Sequence, residues 1–128
     1  MISIGFAGTA KNTGKTTTAL HVLQLAQSAG LRCGLTSIGY DGENKDNITG
    51  LPKPRYFLQP GTILATAESC LKAGSAVCRV IEQTAVQTVL GPVLVAEVAQ
   101  PGLVVLAGPN RRNDLRTVFA SFARLRVD

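Results

Sequence analysis

With 128 residues, 45% hydrophobic and 16% charged, the chain has the length and composition of one folded domain, able to bury roughly two-thirds of its unfolded surface. That balance argues against a disordered tail, and no apolar run approaches the ~18 residues of a membrane-spanning helix. The net charge of +5 is uneven, with Arg111, Arg112, Arg116, Arg124 and Arg126 within the last eighteen positions, which reads as an anion or nucleic-acid patch or as the solvated face of a helix.

The amino terminus, MISIGFAG, lacks the basic region and long apolar stretch of a secretory signal, so a cytoplasmic location is expected. Residues 2–7 read as a short buried strand. A Gly-, Thr- and Lys-rich loop follows, and then GKTTTALHVLQLAQSAG, a helical run with Leu20, Leu23 and Ala26 on one face. Ala19, Val22 and Leu25 widen its apolar band, so burial between layers is expected, and Gly30 supplies the stop. LRCGLTSIG (31–39) is apolar enough for a strand inside a parallel sheet. Residues 1–41 thus read as a βαβ unit with a right-handed crossover.

The next segment, YDGENKDNITGLPKPRYF, is polar and turn-rich. From 54 to 107 the chain becomes strand-rich. RYFL and GTILAT flank Pro60-Gly61 as an expected hairpin, and ATAESCLKAG reads as a short helix ending at Gly74. AVCRVIEQT and GPVLVAEV read as strands, with LVVLAG expected to pair with the second across Gln100-Pro101-Gly102. NDLRTVFASFARL is a final helix, with Leu115, Val118, Phe119, Phe122 and Leu125 on its apolar face. Because those rings face inward, stacking on nucleic-acid bases is disfavoured. The closing RVD resembles the first residues of a further strand, which predicts that residues 1–128 are the amino-terminal part of a longer protein.

Cys33, Cys70 and Cys78 form no C-x-x-C and lie in apolar or small-residue runs, which predicts buried free thiols. With His21 as the only histidine, a metal site built from His and Cys is not expected.

The chemistry concentrates in GFAGTAKNTGKTTT. The standard phosphate-binding pattern is G-x-x-x-x-G-K-[ST]. Here Thr9 stands where its first glycine belongs, and Gly8 precedes it by one residue. The physical requirement is less strict than the pattern: successive backbone N–H groups must curl around an anion at the start of a helix. Asn12, Thr13, Gly14, Lys15 and Thr16 can supply those donors, and Gly14 lets a phosphate approach without a Cβ in the way. Lys15 would place its charge on the β- and γ-phosphates, the Thr16 hydroxyl would join a Mg²⁺ shell, and Thr17 would lie near the α-phosphate. The alternative is a Gly- and Thr-rich strand-to-helix turn without a ligand.

The stretch GTAKNTGKTT resembles the variant phosphate loops of the P-loop class that includes dethiobiotin synthetase, the MinD and nitrogenase-iron-protein ATPases and the metallochaperone GTPases. Its G-x5-G-K-T spacing is that of dethiobiotin synthetases. Members of the wider class carry a lysine five places before the loop lysine, acting across a dimer interface. Here that place is Ala10 and the lysine is Lys11, which leaves Lys11 either reaching a phosphate of its own subunit or solvated. Dethiobiotin synthetases have a YKP-like lysine after the second strand, whereas this chain has SIGYDGE, so the biotin-pathway reaction is disfavoured. The resemblance implies that Asp41 holds a Mg²⁺-bound water or orients the attacking water, with Glu43 a weaker candidate. The alternative is an Asp/Gly/Asn turn chosen for its backbone geometry. TSIGYDGENKDNITGLPKP and GTILATAE are also similar to small ATP-binding proteins that reactivate adenosylcobalamin-dependent aminomutases.

The expected fold is therefore α/β, a P-loop-type three-layer domain over residues 1–128 with parallel core strands and an antiparallel, hairpin-rich segment. The expected ligand is MgATP, with GTP less favoured, and Lys15 and Asp41 are the candidate catalytic residues. Gly8, Lys11, Asn12, Thr13, Gly14, Lys15, Thr16 and Thr17 are the nucleotide contacts, and Thr16 and Asp41 the metal contacts. Expected partners are the nucleotide and a partner protein or second copy, with no membrane and no nucleic acid. The alternatives are an ATP-dependent small-molecule ligase or kinase and, third, a basic nucleic-acid-binding module.

Overall fold

The computed structural model describes residues 1–9, 14–39 and 56–128. Helix α1, Lys15–Ser28, begins at Gly14, whose φ of 84° and ψ of 12° place it in the left-handed region open to glycine without steric penalty. It ends where Gly30, with φ 81°, donates its N–H to Gln27 O while Leu31 N–H reaches back to Ala26 O. This paired closure satisfies carbonyls left open by the last turn. The helix is less buried than its composition suggests. Only Ala19 and Leu23 are buried and Leu25 is 58% exposed, because a single stripe of the wide apolar band is covered.

After α1 come β1 (Gly34–Thr36), β2 (Tyr56–Leu58), β3 (Ile63–Ala67), the single turn α2 (Glu68–Leu71), β4 (Val77–Thr88), β5 (Gly91–Gln100), β6 (Gly102–Val104) and α3 (Arg112–Arg124). The chain is thus a mixed α/β structure. One sheet has the order β1-β3-β5-β4, and β2 and β6 form a separate two-stranded sheet. Only β1 and β3 run parallel; β3–β5, β4–β5 and β2–β6 are antiparallel.

The core follows the strand alternation. Leu64, Ala96 and Val98 face one side, where Leu23 of α1 joins Tyr56, Leu58, Val104 and Leu106. Ile63, Ala65, Val93 and Val95 face the other, against Val118 and Phe122 of α3 and against Val127. Helices α1 and α3 therefore cover opposite faces. Phe119 packs beside the second cluster, so the rings of α3 are engaged in the interior, as their spacing predicts.

Three expected pairings are corrected. Residues 2–7 form no strand; Ile2 and Ile4 are 82% and 63% exposed, and among the described residues their backbone is tied to the rest of the fold by Ile2 N–H donating to Asp128 O. An apolar alternation without a ladder beside it does not make a strand. The segments on either side of Pro60-Gly61 do not form a hairpin, because β3 is occupied on one edge by β1 and on the other by β5, leaving β2 no edge to join. By the same logic β5 lies between β3 and β4, so β6 pairs with β2 instead. Strand β1 is also only three residues long and half-buried, and among the described strands it lies at the edge of the sheet.

Candidate functional site

Connectivity decides which groups meet. The end of α1 is held to the start of β3 by Gln27 Nε2 donating to Thr62 Oγ1 at 2.7 Å, and β1 begins four residues after Gly30. Helix α1 therefore runs opposite to β1, and its first turn lies toward the carboxyl ends of β1 and β3. Helix α3 runs the same way, since Asp128, just past its end, donates its N–H to Arg32 O at 3.0 Å and accepts Arg32 N–H on Oδ2 at 2.7 Å. Both helices thus begin at one end of the parallel pair, the end where open α/β sheets bind ligands.

That end is organised by a fork. Beyond Thr36 and Ala67 the segment 105–109 lies beside both strands. Thr66 Oγ1 donates to Val105 O at 3.0 Å and accepts Ala107 N–H at 2.9 Å, and Ala67 N–H reaches Ala107 O. On the other side Gly108 N–H is shared between Ser37 Oγ at 3.0 Å and Gly39 O at 3.2 Å, while Gly39 N–H reaches Pro109 O at 2.9 Å. The approach is so close that a Cβ on Gly108 would stand 2.0 Å from Ser37 O. Only glycine fits there. The chain then leaves the fork through Asn110, Arg111 and Arg112, all exposed, and turns into α3.

The expected loop residues can be placed in part. Gly8 and Thr9 are exposed, and Gly14 leads directly into Lys15, the first residue of α1. Thr16 is half-buried and Thr17 exposed. The first helical bond, Thr18 N–H to Gly14 O at 2.9 Å, leaves the amides of residues 15–17 without intrahelical acceptors. Gly14, at the N-cap, has no side chain to cap the helix, and an added Cβ there would meet nothing within 4 Å. Lys11, Asn12, Thr13, Asp41 and Glu43 lie outside the described residues.

A surface depression lies elsewhere among the described residues. A shallow cavity of about 460 Å³ is lined by Gln24, Gln27, Cys33 and Gln59, toward the amino ends of β1 and β3 and away from Gly14. Cys33, Cys70 and Cys78 are free; Cys70 is buried and the other two half-buried, a partial correction to three buried thiols. Burial pushes all three thiols above their ordinary range, with the Asp128 carboxylate adding to the effect at Cys33. A raised thiol is a poor nucleophile at neutral pH, so these cysteines are not candidates for catalysis. Among the described residues no group of three His, Cys, Asp or Glu side chains converges.

Sequence reading did not identify Ser37, Gly108 or the 110–112 turn as part of this end of the molecule. The available signal was Gly108-Pro109-Asn110 just before a helix, which is turn chemistry. Among the described residues no helix is long and apolar enough to cross a membrane. Comparison of the chain with protein-family models, curated proteins and solved structures finds no match.

Proposed function

We propose that residues 8–17 bind MgATP and that the protein is a nucleotide-driven switch or reactivase acting on a partner protein. The finer fold reading, a P-loop-type three-layer domain, belongs to the same proposal. The observation that carries it is the start of α1. Gly14 is left-handed, Lys15 and Thr16 open the helix, the Thr16 and Thr17 amides precede the first intrahelical bond, and all lie toward the carboxyl ends of the parallel pair. A glycine-opened helix start that turns backbone N–H groups outward is a cradle whose size and charge suit a phosphate.

In this reading the amides of 14–16 and the Lys15 ammonium hold the β- and γ-phosphates, and the Thr16 hydroxyl contributes to the metal shell. Asp41, two residues past Gly39, orients the attacking water. Mg²⁺ supplies charge neutralisation on the phosphate oxygens, and the protein contributes placement and fixed positive potential rather than covalent chemistry. The resemblance of the loop to the dethiobiotin synthetase, MinD and nitrogenase-iron-protein class supports nucleotide use. The similarity of 36–54 and 61–68 to aminomutase-associated ATP-binding proteins supports a partner-directed role.

The test is calorimetric titration of the full chain with ATP and with GTP in the presence of Mg²⁺. Binding of ATP in the wild type and its loss in Lys15→Ala are expected. Absence of heat with both nucleotides refutes the reading. Binding that survives Lys15→Ala and weakens steeply with salt would favour an electrostatic anion site elsewhere.

A further inference from the structure

We propose that the polypeptide segment following Asp128 forms one further strand, seated between residues 2–7 and the outer edge of β1 and parallel to both. The hydrogen bonds of Asp128 mark the position. Its N–H donates to Arg32 O, two residues before β1, and its Oδ2 accepts Arg32 N–H. Its backbone oxygen accepts Ile2 N–H. Asp128 thus joins the approach to β1 with the start of the 2–7 segment, at the amino end of the parallel pair. Chain that leaves Asp128 alongside β1 runs toward its carboxyl end, in the direction of β1 itself. The amino-terminal segment starts at Ile2 beside Asp128 and is bound for Gly14 at that same carboxyl end, so the three directions agree.

Both flanks have the chemistry of strand neighbours. ISIGFA and LRCGLTSIG carry Ile, Phe, Leu and Thr, residue types suited to a pleated, buried surface, yet Ile2, Ile4 and Ile38 are exposed. Edge strands are ordinarily guarded by lysine, proline or a bulge. Neither segment contains lysine or proline, and the one charged side chain, Arg32, is turned to Glu97. Among the described residues β1 is paired on one edge, by β3, and 2–7 with no strand at all.

The helices supply a second, independent observation. On one face of β1, Phe122 and Val127 lie so close to Gly34 that an added Cβ would stand 2.9 and 3.2 Å from them. On the other face Leu35 packs against the cluster that contains Leu23 of α1. The outermost described strand of the sheet is therefore covered by a helix on each side, as a central strand is. The apolar band of α1 also reaches past that cover, with Val22 half-buried and Leu25 exposed. A strand placed beyond β1 enters between layers already in place. Covered on both faces, it needs a near-continuous apolar, β-branched run, about five or six residues long to match its neighbour 2–7. A second copy of the chain is the weaker occupant, because Asp128 already stands at the entry and leads its own polypeptide into it.

The experiment extends the chain by the residues its own gene encodes after Asp128, about twelve of them, or two strand lengths. Amide hydrogen exchange is then compared between the 128-residue chain, the extended chain, and an extended chain with proline at the middle of the added apolar run, where it cannot donate to a ladder. Where the short extension is insoluble, the full-length product of the gene takes its place in the same comparison. An apolar run is expected within the extension, with exchange at residues 3–7 slowed about tenfold or more. The proline variant is expected to lose that slowing, while residues 93–98 of β5 stay unchanged in all three. A stop codon directly after Asp128, a polar run there, unchanged exchange at 3–7, or slowing that survives the proline overturns the proposal. So does slowing at 3–7 in the 128-residue chain that grows with protein concentration, which would assign the position to a second copy. None of these outcomes depends on nucleotide binding, so the loop site stands or falls separately.

Discussion

Substituting Gly108 by alanine tests the fork. The new methyl group would lie 2.0 Å from Ser37 O and 2.6 Å from Thr36 Oγ1, and the first of these atoms is backbone, so a side-chain rotation alone cannot make room. The segment must back away from β1. Doing so stretches Gly108 N–H to Ser37 Oγ, Gly108 N–H to Gly39 O, and Gly39 N–H to Pro109 O. At about 1 kcal/mol net for each of the two N–H groups involved, with some strain remaining, the expected loss is about 2–4 kcal/mol. Urea unfolding followed by circular dichroism measures it, with Gly5→Ala as the control, since nothing lies within 4 Å of a Cβ there. A loss below about 1 kcal/mol, or one equal to that of Gly5→Ala, would show that the 105–109 segment is not wedged against β1. The placement of the 110–112 turn at this end would then fail with it.

Two further outcomes are expected. Thr66 is fully buried and its hydroxyl joins Val105 O to Ala107 N–H; Thr66→Val leaves that N–H without its partner and should cost about 1–3 kcal/mol, whereas Thr66→Ser should recover most of it in the same urea assay. At Glu82 the Ser121 hydroxyl, with help from the Arg124 guanidinium, holds the carboxyl below the usual carboxylate range against the opposing effect of burial. A carboxyl lowered on folding stabilises above its unfolded pKa of about 4.3 and loses that contribution as pH falls through the folded value. Glu82→Gln should therefore lower stability modestly at pH 7, as expected of a partly exposed pair, and flatten the acid limb below about pH 4.3 by that same amount; an unchanged slope on acidification would rule out the linkage.

The elements with their own local signals were legible in the sequence. Gly14 and Gly30 bracket α1, and the spacing of Val118, Phe119 and Phe122 marks the buried face of α3. The single turn before Gly74 and the two long strands were equally visible, because each depends on neighbours within a few residues. Pairing partners were not legible in this way. Whether β2 joins β3 or β6 depends on which edges β1, β5 and β4 already occupy, and no property of RYFL or GTILAT carries that information. Residues 2–7 show the same limit: ISIGFA has strand composition, but a strand requires a ladder. At the candidate site the start of α1 at Gly14 was readable from local sequence, while the approach of Gly108 to Ser37 joins positions far apart in the chain and appears only once the fold is known.

The two ends of the parallel pair are built for different tasks. Toward the amino ends, Asp128 bonds the Arg32 backbone, Glu97 carries two arginines, and Gln27 is fixed to Thr62; polar groups there are used to hold α1, α3 and the sheet together. At the carboxyl ends the side chains of Ser37 and Thr66 hold the fork, and the exposed arginines of the 110–112 turn are left outside it. The first turn of α1, opened by Gly14, lies there as well. Exposed cations at a helix start are unfavourable for the folded chain, because they lie against the positive end of the helix dipole. Phosphoryl-transfer sites need that same arrangement, since positive potential fixed before the ligand arrives requires little reorganisation at the moment of reaction. If the proposed site binds MgATP, the nucleotide should raise the melting temperature by the amount its affinity and concentration set, any relief of repulsion at the helix start being contained in that affinity.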